Sequence, residues 1–460
     1  MLFASRRANL HRHIPSCLVG VVIGLLCLIS PWLALSVVLG VIVCIAALSK
    51  PIVLCYLMVA TIALTSGMER GGLFPFLRPN EAGLLFSASI AFVAILVNKR
   101  RGVCSSRYAN IAFPVLFSGT VIIPGLSYFL RGTQLTMSDV FFLLAPLQYF
   151  VLFRLFADLP ESEAERRGLI LWMILCGSAV AVVGLMQAGR VWFVTELLDG
   201  WYSSSHGAEA ADVGRVTSLM AAWNVLGIFL MVNLLIAWAF LSPNSKALGN
   251  VGMTVPIALC AACLVASGSF AGTLGLIMGV LVVELLRRRR MRAAPILLLA
   301  VVGVAIAIRS FQPLIQPLVR QRLDYQFQHG GIVPQTLLFR FQVWREVWWP
   351  AIRENLLWGN HLTIPPTFAW QWAESEYISI LFRFGLVGLL AHLAWVGVTL
   401  AWLYRIFRQS VGFLRSVVTG ALTILVVLSI TGLTNAVFTF NGTADYLWIM
   451  LALAAGSEEA

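Results

Sequence analysis

Long apolar runs constrain this chain more than any other feature. Runs of about 16–27 apolar residues recur along almost its whole length, and about 20 such residues cross the hydrocarbon core of a bilayer as one helix. Only 11% of the 460 residues are charged, against about 25% in a typical soluble domain. The sequence therefore predicts an all-α polytopic membrane protein. Its net charge of +12 is read as a topology signal, so no nucleic-acid partner is expected.

Basic residues give these runs an orientation. Clusters within 99–101, 287–292 and 405–415 mark the cytoplasmic side, because loops rich in lysine and arginine are retained there. We therefore expect both termini in the cytoplasm and about 14 transmembrane helices, within a range of about 12–14. The predicted spans are 14–30, 32–48, 51–66, 81–98, 111–130, 138–156, 168–187, 218–241, 251–267, 270–286, 294–309, 376–404, 416–434 and 443–456.

Four segments follow from this topology. Residues 1–213 are predicted to form an N-terminal transmembrane bundle, and 214–309 to add transmembrane helices that carry a first arginine motif. Residues 310–375 are predicted to form one long periplasmic loop containing short helices. Residues 376–460 then form the C-terminal transmembrane helices.

The predicted outer side carries arginine but no lysine, since Lys50, Lys99 and Lys246 all fall on the inner side. Arginine binds phosphate oxygens through two parallel hydrogen bonds and is less strongly hydrated than lysine. A general preference for arginine, which also anchors spans at the membrane interface, explains the same distribution. Individual motifs must therefore decide between the two interpretations.

The first motif is GRVTSLMAAWNVLG at 214–227. Arg215 stands just outside a predicted span whose first turns carry Thr217, Ser218 and Asn224. An interfacial arginine anchor, with an asparagine bonded between helices, accounts for this segment when it is considered alone.

Two further motifs lie within and at the end of the predicted periplasmic loop. Arg340, Trp344 and Trp348 are spaced four residues apart and share one face of a helix, which by itself fits an amphipathic helix on the outer leaflet. The sequence ESEY at 374–377 then opens a span that carries Gly385 and Gly388. Small residues in such a span also serve close helix packing.

In their order along the chain, these motifs resemble the O-antigen ligase/polymerase superfamily of bacterial inner-membrane glycosyltransferases. Arg215 and Asn224 match that family's arginine before a span and its distal asparagine. Arg340 and Trp344 match an arginine four residues before a tryptophan. Tyr377, with the two glycines that follow it, matches the family's third motif. The resemblance covers about 214–392 well and the remaining chain only as hydropathy.

Three positions depart from the family pattern. Trp223 stands where a proline usually precedes the asparagine, and Phe270 stands where an arginine is often found. Glu374 and Ser375 occupy the positions where ligases of the superfamily carry His-Asn. An acidic residue at that place resembles the branch that polymerises polysaccharide repeat units.

The resemblance implies a polymerase that joins polyprenyl-pyrophosphate-linked oligosaccharides into O-antigen or exopolysaccharide. It also implies a multi-pass protein of the bacterial inner membrane with its active site facing the periplasm. The implied partners are a lipid-linked donor, a lipid-linked acceptor, membrane lipid and a chain-length regulator protein. The outer segments contain no acidic or histidine cluster suited to Mg²⁺ or Mn²⁺, so neither a metal nor any other cofactor is expected.

Arginine side chains would then stabilise the departing pyrophosphate. Arg215 and Arg340 are the first candidates, Arg383 is the next, and Asn224, Trp344 and Tyr377 complete the substrate-binding set. For Arg383, pairing with Glu376, which lies seven residues earlier on the same helical face, is the competing explanation. The catalytic base is Glu374 by motif position, with Glu376 and His361 as alternatives; Glu374 and Glu376 could raise each other's pKa. Pairing of Glu374 with an outer arginine such as Arg345 or Arg353 competes with a role as base.

Two other functions fit parts of the pattern. An O-antigen ligase would transfer a finished glycan to a lipid or protein acceptor by the same chemistry, and the missing histidine argues against it. A polysaccharide-lipid flippase, a transporter, should place charges deep within several spans, whereas here they cluster at one membrane face.

Overall fold

The computed structural model describes residues 31–74, 76–97, 107–132, 134–202, 215–241, 250–287, 335–365 and 367–458. Within these ranges 78% of the residues are helical and no strand is present. The helical class predicted from the apolar runs is therefore confirmed.

Sixteen helices lie in the described ranges, numbered in chain order. Two of the chain's helical stretches include a π-helical turn, at Ser118–Ile122 between α4 and α5 and at Trp344–Trp348 between α12 and α13. The helices are α1 Pro31–Ser49, α2 Ile52–Thr65, α3 Pro79–Val97, α4 Arg107–Phe117, α5 Ile123–Leu130, α6 Met137–Asp158, α7 Glu163–Ala188, α8 Trp192–Trp201, α9 Trp223–Phe240, α10 Asn250–Ser267, α11 Phe270–Leu286, α12 Gln335–Val343, α13 Trp349–Glu354, α14 Glu376–Gln409, α15 Gly412–Thr431 and α16 Thr443–Glu458.

Polar residues at the helix starts define where several of these helices begin. Thr136 accepts a hydrogen bond from the backbone N–H of Asp139, whose carboxylate in turn accepts the N–H of Thr136, and this reciprocal cap begins α6. Ser162 and Glu165 form the same arrangement at the start of α7. Such boxes satisfy backbone donors that a helix start would otherwise leave without partners.

The centre of the bundle is α9, which is apolar on all sides and almost entirely buried. It packs against α7, α10, α11, α15 and α16. A helix without a polar face is typical of the interior of a helix bundle. Beside this core, α14 packs against α4 and the π-helical turn that follows it, where Gly119 and Gly388 allow the two backbones to approach closely.

The bundle has two distinct ends. At the first, which we call the polar end, α2, α5, α7 and α15 finish and α3, α6, α9, α14 and α16 begin. Three contacts join these segments: the N–H of Gly67 donates to Leu219 (2.9 Å), Glu376 donates to Gly432 (2.8 Å), and Gly442 lies against Ser66. The opposite end holds the finishes of α6, α9, α11 and α14 and the starts of α7 and α15.

In the part of the chain that the structure describes, seven helical stretches are long and apolar enough to cross a membrane, and shorter apolar helices accompany them. The chain is thus a multi-pass membrane protein. The finer count of about 14 spans, the orientation and the four segment boundaries stay predictions. The predicted spans 14–30 and 294–309, and 310–334 of the predicted loop, lie outside the described residues.

Candidate functional site

An ion pair joins the second and third sequence motifs. Nε of Arg340 on α12 donates to a carboxylate oxygen of Glu374. One turn further along, Nε1 of Trp344 donates to the carbonyl oxygen of Ala373 at 2.6 Å. The shared face predicted for these side chains therefore lies against the segment that precedes α14. Glu374 does pair with an arginine, but that arginine is Arg340 and not Arg345 or Arg353.

Backbone geometry fixes the position of Glu374. Its φ of 48° lies in the left-handed region, which costs a residue with a side chain about 1 kcal/mol or more. Below it, the buried Trp348 ring packs against Phe368 and Phe382, with ring centroids 5.0 and 5.1 Å apart. This aromatic packing attaches the amphipathic helix to α14 and holds the Arg340–Glu374 pair at the polar end.

Glu376, the alternative base, has different partners. Its backbone N–H donates to the carbonyl oxygens of Gly432 and Asn435, and its carboxylate accepts the N–H of Phe438 at 2.9 Å. These bonds tie the start of α14 to the connection between α15 and α16. Glu374 and Glu376 therefore face separate partners, and Glu376 is buried in a structural role.

Arg383 does not form the ion pair with Glu376 that their spacing on α14 allows. Its guanidinium carbon lies 4.1 Å from the ring centroid of Phe142 on α6. Its Nε is buried and donates to no acceptor, and the described residues give its guanidinium neither an ion pair nor a hydrogen bond. Contact with an aromatic face supplies only about 0.5–2 kcal/mol, so this cation keeps unused hydrogen-bonding capacity beside the membrane.

A break in α14 explains how Arg383 is presented. Gly385 has φ 65° and ψ −166°, a conformation essentially restricted to glycine. Across the break, Asn360 N–H donates to Phe382 (2.7 Å) and Leu386 N–H donates to Leu356 (2.8 Å). Gly359 lies directly against the backbone at Arg383. These glycines let a loop pair with an interrupted helix, a role beyond the packing predicted from sequence.

The same loop is held by α5 and α6. Nη1 of Arg131 donates to the carbonyl oxygen of Gly359 at 3.1 Å. The Asp139 carboxylate accepts both the N–H and the hydroxyl of Thr363, at 3.1 and 2.8 Å. Asp139 and Phe142 are not among the candidates predicted from the sequence. Their signal was faint, because each reads as an ordinary capping or span residue.

The first motif is not helical where the sequence predicts it to be. The predicted span from 218 begins at Trp223, and Thr217 and Ser218 precede it in a turn. The side chain of Gln187 causes this, since its carbonyl oxygen accepts the N–H groups of both residues, at 3.0 and 2.8 Å. Ser218 there has a φ of 51°. Asn224 is half-buried in the first turn of α9.

Arg215 lies over the ring of Trp223, with its guanidinium carbon 4.7 Å from the centroid. Trp223 therefore supplies the aromatic face. Burial lowers the pKa of Arg215, and its Nε is buried without an acceptor in the described ranges. Among the residues described, Arg215 therefore has only an aromatic contact, whereas Arg340 has the Glu374 carboxylate. That both arginines bind one pyrophosphate stays a prediction.

The two remaining candidates differ in exposure. His361 is exposed, with its ring centroid 6.4 Å from that of Phe382. Tyr377 is half-buried, and its hydroxyl donates to the carbonyl oxygen of Ser429 at 2.6 Å. That bond joins α14 to α15, so Tyr377 has a clear structural role.

Comparison with known proteins adds no assignment. No family model matches the chain, and no curated protein sequence is significantly similar to it. Among the side chains that the structure describes, no group of three His, Cys, Asp or Glu residues could hold a metal ion. Metal independence of any reaction stays a prediction, which chelation tests.

Proposed function

We propose that this chain is a glycosyltransferase that polymerises oligosaccharide repeat units carried on polyprenyl pyrophosphate. The proposal places the reaction at the periplasmic face of a bacterial inner membrane. The observation that supports it best is a pair of unpartnered, partly buried guanidinium groups, those of Arg215 and Arg383, at the end of the bundle that also carries Glu374. A desolvated cation without a counterion favours an anionic ligand, and a pyrophosphate offers oxygens for several such donors.

The reaction divides into proton removal and charge stabilisation. A hydroxyl of the acceptor glycan attacks the anomeric carbon of the donor, the bond from that carbon to the pyrophosphate oxygen breaks, and the lipid pyrophosphate leaves with the electron pair. Glu374 accepts the hydroxyl proton. Arg215 and Arg383 donate hydrogen bonds to the phosphate oxygens as negative charge develops there.

Arg340 has a positioning role in this scheme. It holds one oxygen of Glu374 and leaves the other oxygen available to the acceptor hydroxyl. The left-handed backbone at Glu374 and the anchored Trp344 restrict the carboxylate further. A base on such a fixed support loses little entropy when the substrate binds.

The lipid-linked glycans of cells that lack the protein test the proposal. Accumulation of a single repeat unit on its lipid supports a polymerase. Accumulation of finished, lipid-linked polymer indicates a ligase instead, and accumulation of repeat units on the cytoplasmic leaflet indicates a flippase. Purified protein in proteoliposomes should elongate added lipid-linked repeat units in the presence of EDTA. Loss of elongation in EDTA, with recovery on adding Mg²⁺, would contradict the arginine mechanism.

The proposed orientation is tested by single cysteines in a cysteine-free background. Trp372 at the polar end and Val411 at the opposite end are both well exposed. In intact cells an impermeant thiol reagent should label Trp372→Cys but not Val411→Cys. The reverse labelling would place the candidate site on the cytoplasmic side and exclude the proposed reaction.

A further inference from the structure

Arg78 and Asn80 form a second place at the polar end where polar groups lack partners. Arg78 immediately precedes α3, and Asn80 is in its first turn. Both the oxygen and the nitrogen of the Asn80 amide are buried without a hydrogen bond, and Asn80 is 1% exposed. Nε of Arg78 is also buried without an acceptor, and its guanidinium has neither an ion pair nor a hydrogen bond to any described residue.

The carboxylates around Arg78 are already engaged. Glu81 forms an ion pair with Arg70, and it accepts the backbone N–H of Arg78 at 3.0 Å. Asp445 accepts the N–H of Gly442 at 2.9 Å at the start of α16. Burial, followed by the charge of Arg70, lowers the pKa of Arg78. The local carboxylates therefore cap helices and bind Arg70, and the guanidinium of Arg78 stays available.

Interfacial anchoring does not explain this pair of residues. An anchoring arginine extends its head group to water, which leaves the neighbouring Asn80 unexplained. A buried amide without hydrogen bonds costs about 1–3 kcal/mol for each unsatisfied group, and native proteins rarely keep such groups without a ligand or ordered water. A cation and a buried amide donor two residues apart are the kinds of group that bind a phosphate.

The location links this place to the first arginine motif. The turn between α2 and α3 bonds directly to the segment after Arg215, through Gly67 N–H and the carbonyl oxygen of Leu219 at 2.9 Å. Arg78 and Arg215 thus belong to two segments in direct contact. A polymerase brings two lipid-linked substrates together, whereas a single pyrophosphate site holds one.

We propose that Arg78 and Asn80 bind a phosphate group of the second lipid-linked substrate, the acceptor, while Arg215 and Arg383 bind the donor. This inference rests on the proposed polymerase function for the identity of the ligand. It assigns each substrate its own cationic subsite at the polar end.

Binding of polyprenyl pyrophosphate without a glycan, counted by native mass spectrometry in detergent, tests the two sites. The wild-type protein should bind two molecules, and Arg78→Gln and Arg215→Gln should each bind one. Arg353→Gln is the matched control, because Arg353 also lies over a tryptophan ring but is exposed, and it should bind two. Asn80→Ala should weaken binding about tenfold without lowering the melting temperature, since it removes only unsatisfied groups.

Three outcomes would overturn the inference: two molecules bound to Arg78→Gln, a single molecule bound to the wild type, or displacement of the second molecule by equimolar phosphatidylglycerol. The last would identify an ordinary phospholipid site. The polymerase proposal fails separately, if two molecules bind as expected but proteoliposomes elongate no glycan. Melting temperatures of all variants show whether a lost site reflects lost folding.

Discussion

Opposite surroundings distinguish Arg166 and Arg287 at one end of the bundle from Arg78, Arg215 and Arg383 at the polar end. At the opposite end, Arg287 donates to the Glu284 carboxylate and to the carbonyl oxygens of Trp238 and Ala239, at 3.2, 2.8 and 2.9 Å. Arg166 there donates to the carbonyl oxygen of Pro160 at 3.2 Å. These arginines close helix ends by satisfying carbonyl groups.

At the polar end, Arg78, Arg215 and Arg383 have no such acceptors among the described residues. Two of the three lie against aromatic rings instead. Because burying an unpaired cation is costly, we propose that the difference separates arginines that stabilise the fold from arginines that bind a ligand. Substitutions at the polar end should lower activity more than stability, and those at the opposite end should do the reverse.

The largest expected effect belongs to Glu374→Gln, which keeps the shape but removes the proton acceptor. Loss of a general base costs about 10²–10⁴ in rate, so polymer formation in proteoliposomes should fall by that factor while donor binding persists. Glu346→Gln is the control, since Glu346 is an exposed carboxylate on the amphipathic helical stretch that carries Arg340, the partner of Glu374. A near-normal rate for Glu374→Gln would contradict this assignment. If His361→Ala or Glu376→Gln instead lost polymer formation, the residue replaced in that variant would be the base.

Arg215→Lys and Arg383→Lys should follow, with rates lowered by about 10²–10³, the usual effect of losing one donor to developing charge. A lysine retains the charge but cannot form the paired hydrogen bonds of a guanidinium. The exposed Arg353→Lys should keep its rate in the same elongation assay. Full activity in both buried variants would show that partner-free arginines do not mark a site.

A third comparison lies within α14. Gly385→Ala should reduce the yield of monodisperse protein in size-exclusion chromatography, because its backbone conformation disfavours a side chain by about 1–3 kcal/mol and a Cβ would meet the backbone of Leu357. Gly397→Ala in the same helix has open space around it and should behave as the wild type. Equal yields would mean that the break tolerates side chains.

The smallest effect is expected for Arg287→Gln at the opposite end. Loss of its charged hydrogen bonds should lower the free energy of unfolding by about 1.5–3 kcal/mol, observed as a lower melting temperature in detergent. The rate per folded molecule should not change. If Arg287→Gln reduced turnover at normal stability, arginines at the opposite end would also serve activity, and the proposed difference between the two ends would be wrong.

The helices were predicted well from the sequence, because an apolar run can be recognised without knowing which tertiary contacts it makes. Twelve of the predicted spans coincide approximately with described helices. Arg340 and Trp344, predicted to share one helical face, both contact the segment that precedes α14. The start of α9 was misplaced, because hydropathy cannot register that Gln187, far along the chain, binds the N–H groups of Thr217 and Ser218.

The partners of the charged groups were harder to predict. Spacing on one helix suggested Glu376 for Arg383, yet the carboxylate binds the N–H of Phe438 and the guanidinium lies over Phe142. Both choices depend on neighbouring helices that the spacing does not identify. Arg78 and Asn80 carried no motif at all, and only the absence of partners distinguishes them.

The backbone pairing across Gly385 has a practical consequence for dissecting the protein. The backbone N–H of Leu386 donates to the carbonyl oxygen of Leu356, and that of Asn360 donates to Phe382. Neither the loop nor the interrupted helix therefore has all its backbone hydrogen bonds when the other is absent. A fragment that carries only the extramembrane segment would expose these groups together with the apolar face of Trp348. Such a fragment should not fold by itself, and antibodies raised against it would recognise an unfolded peptide.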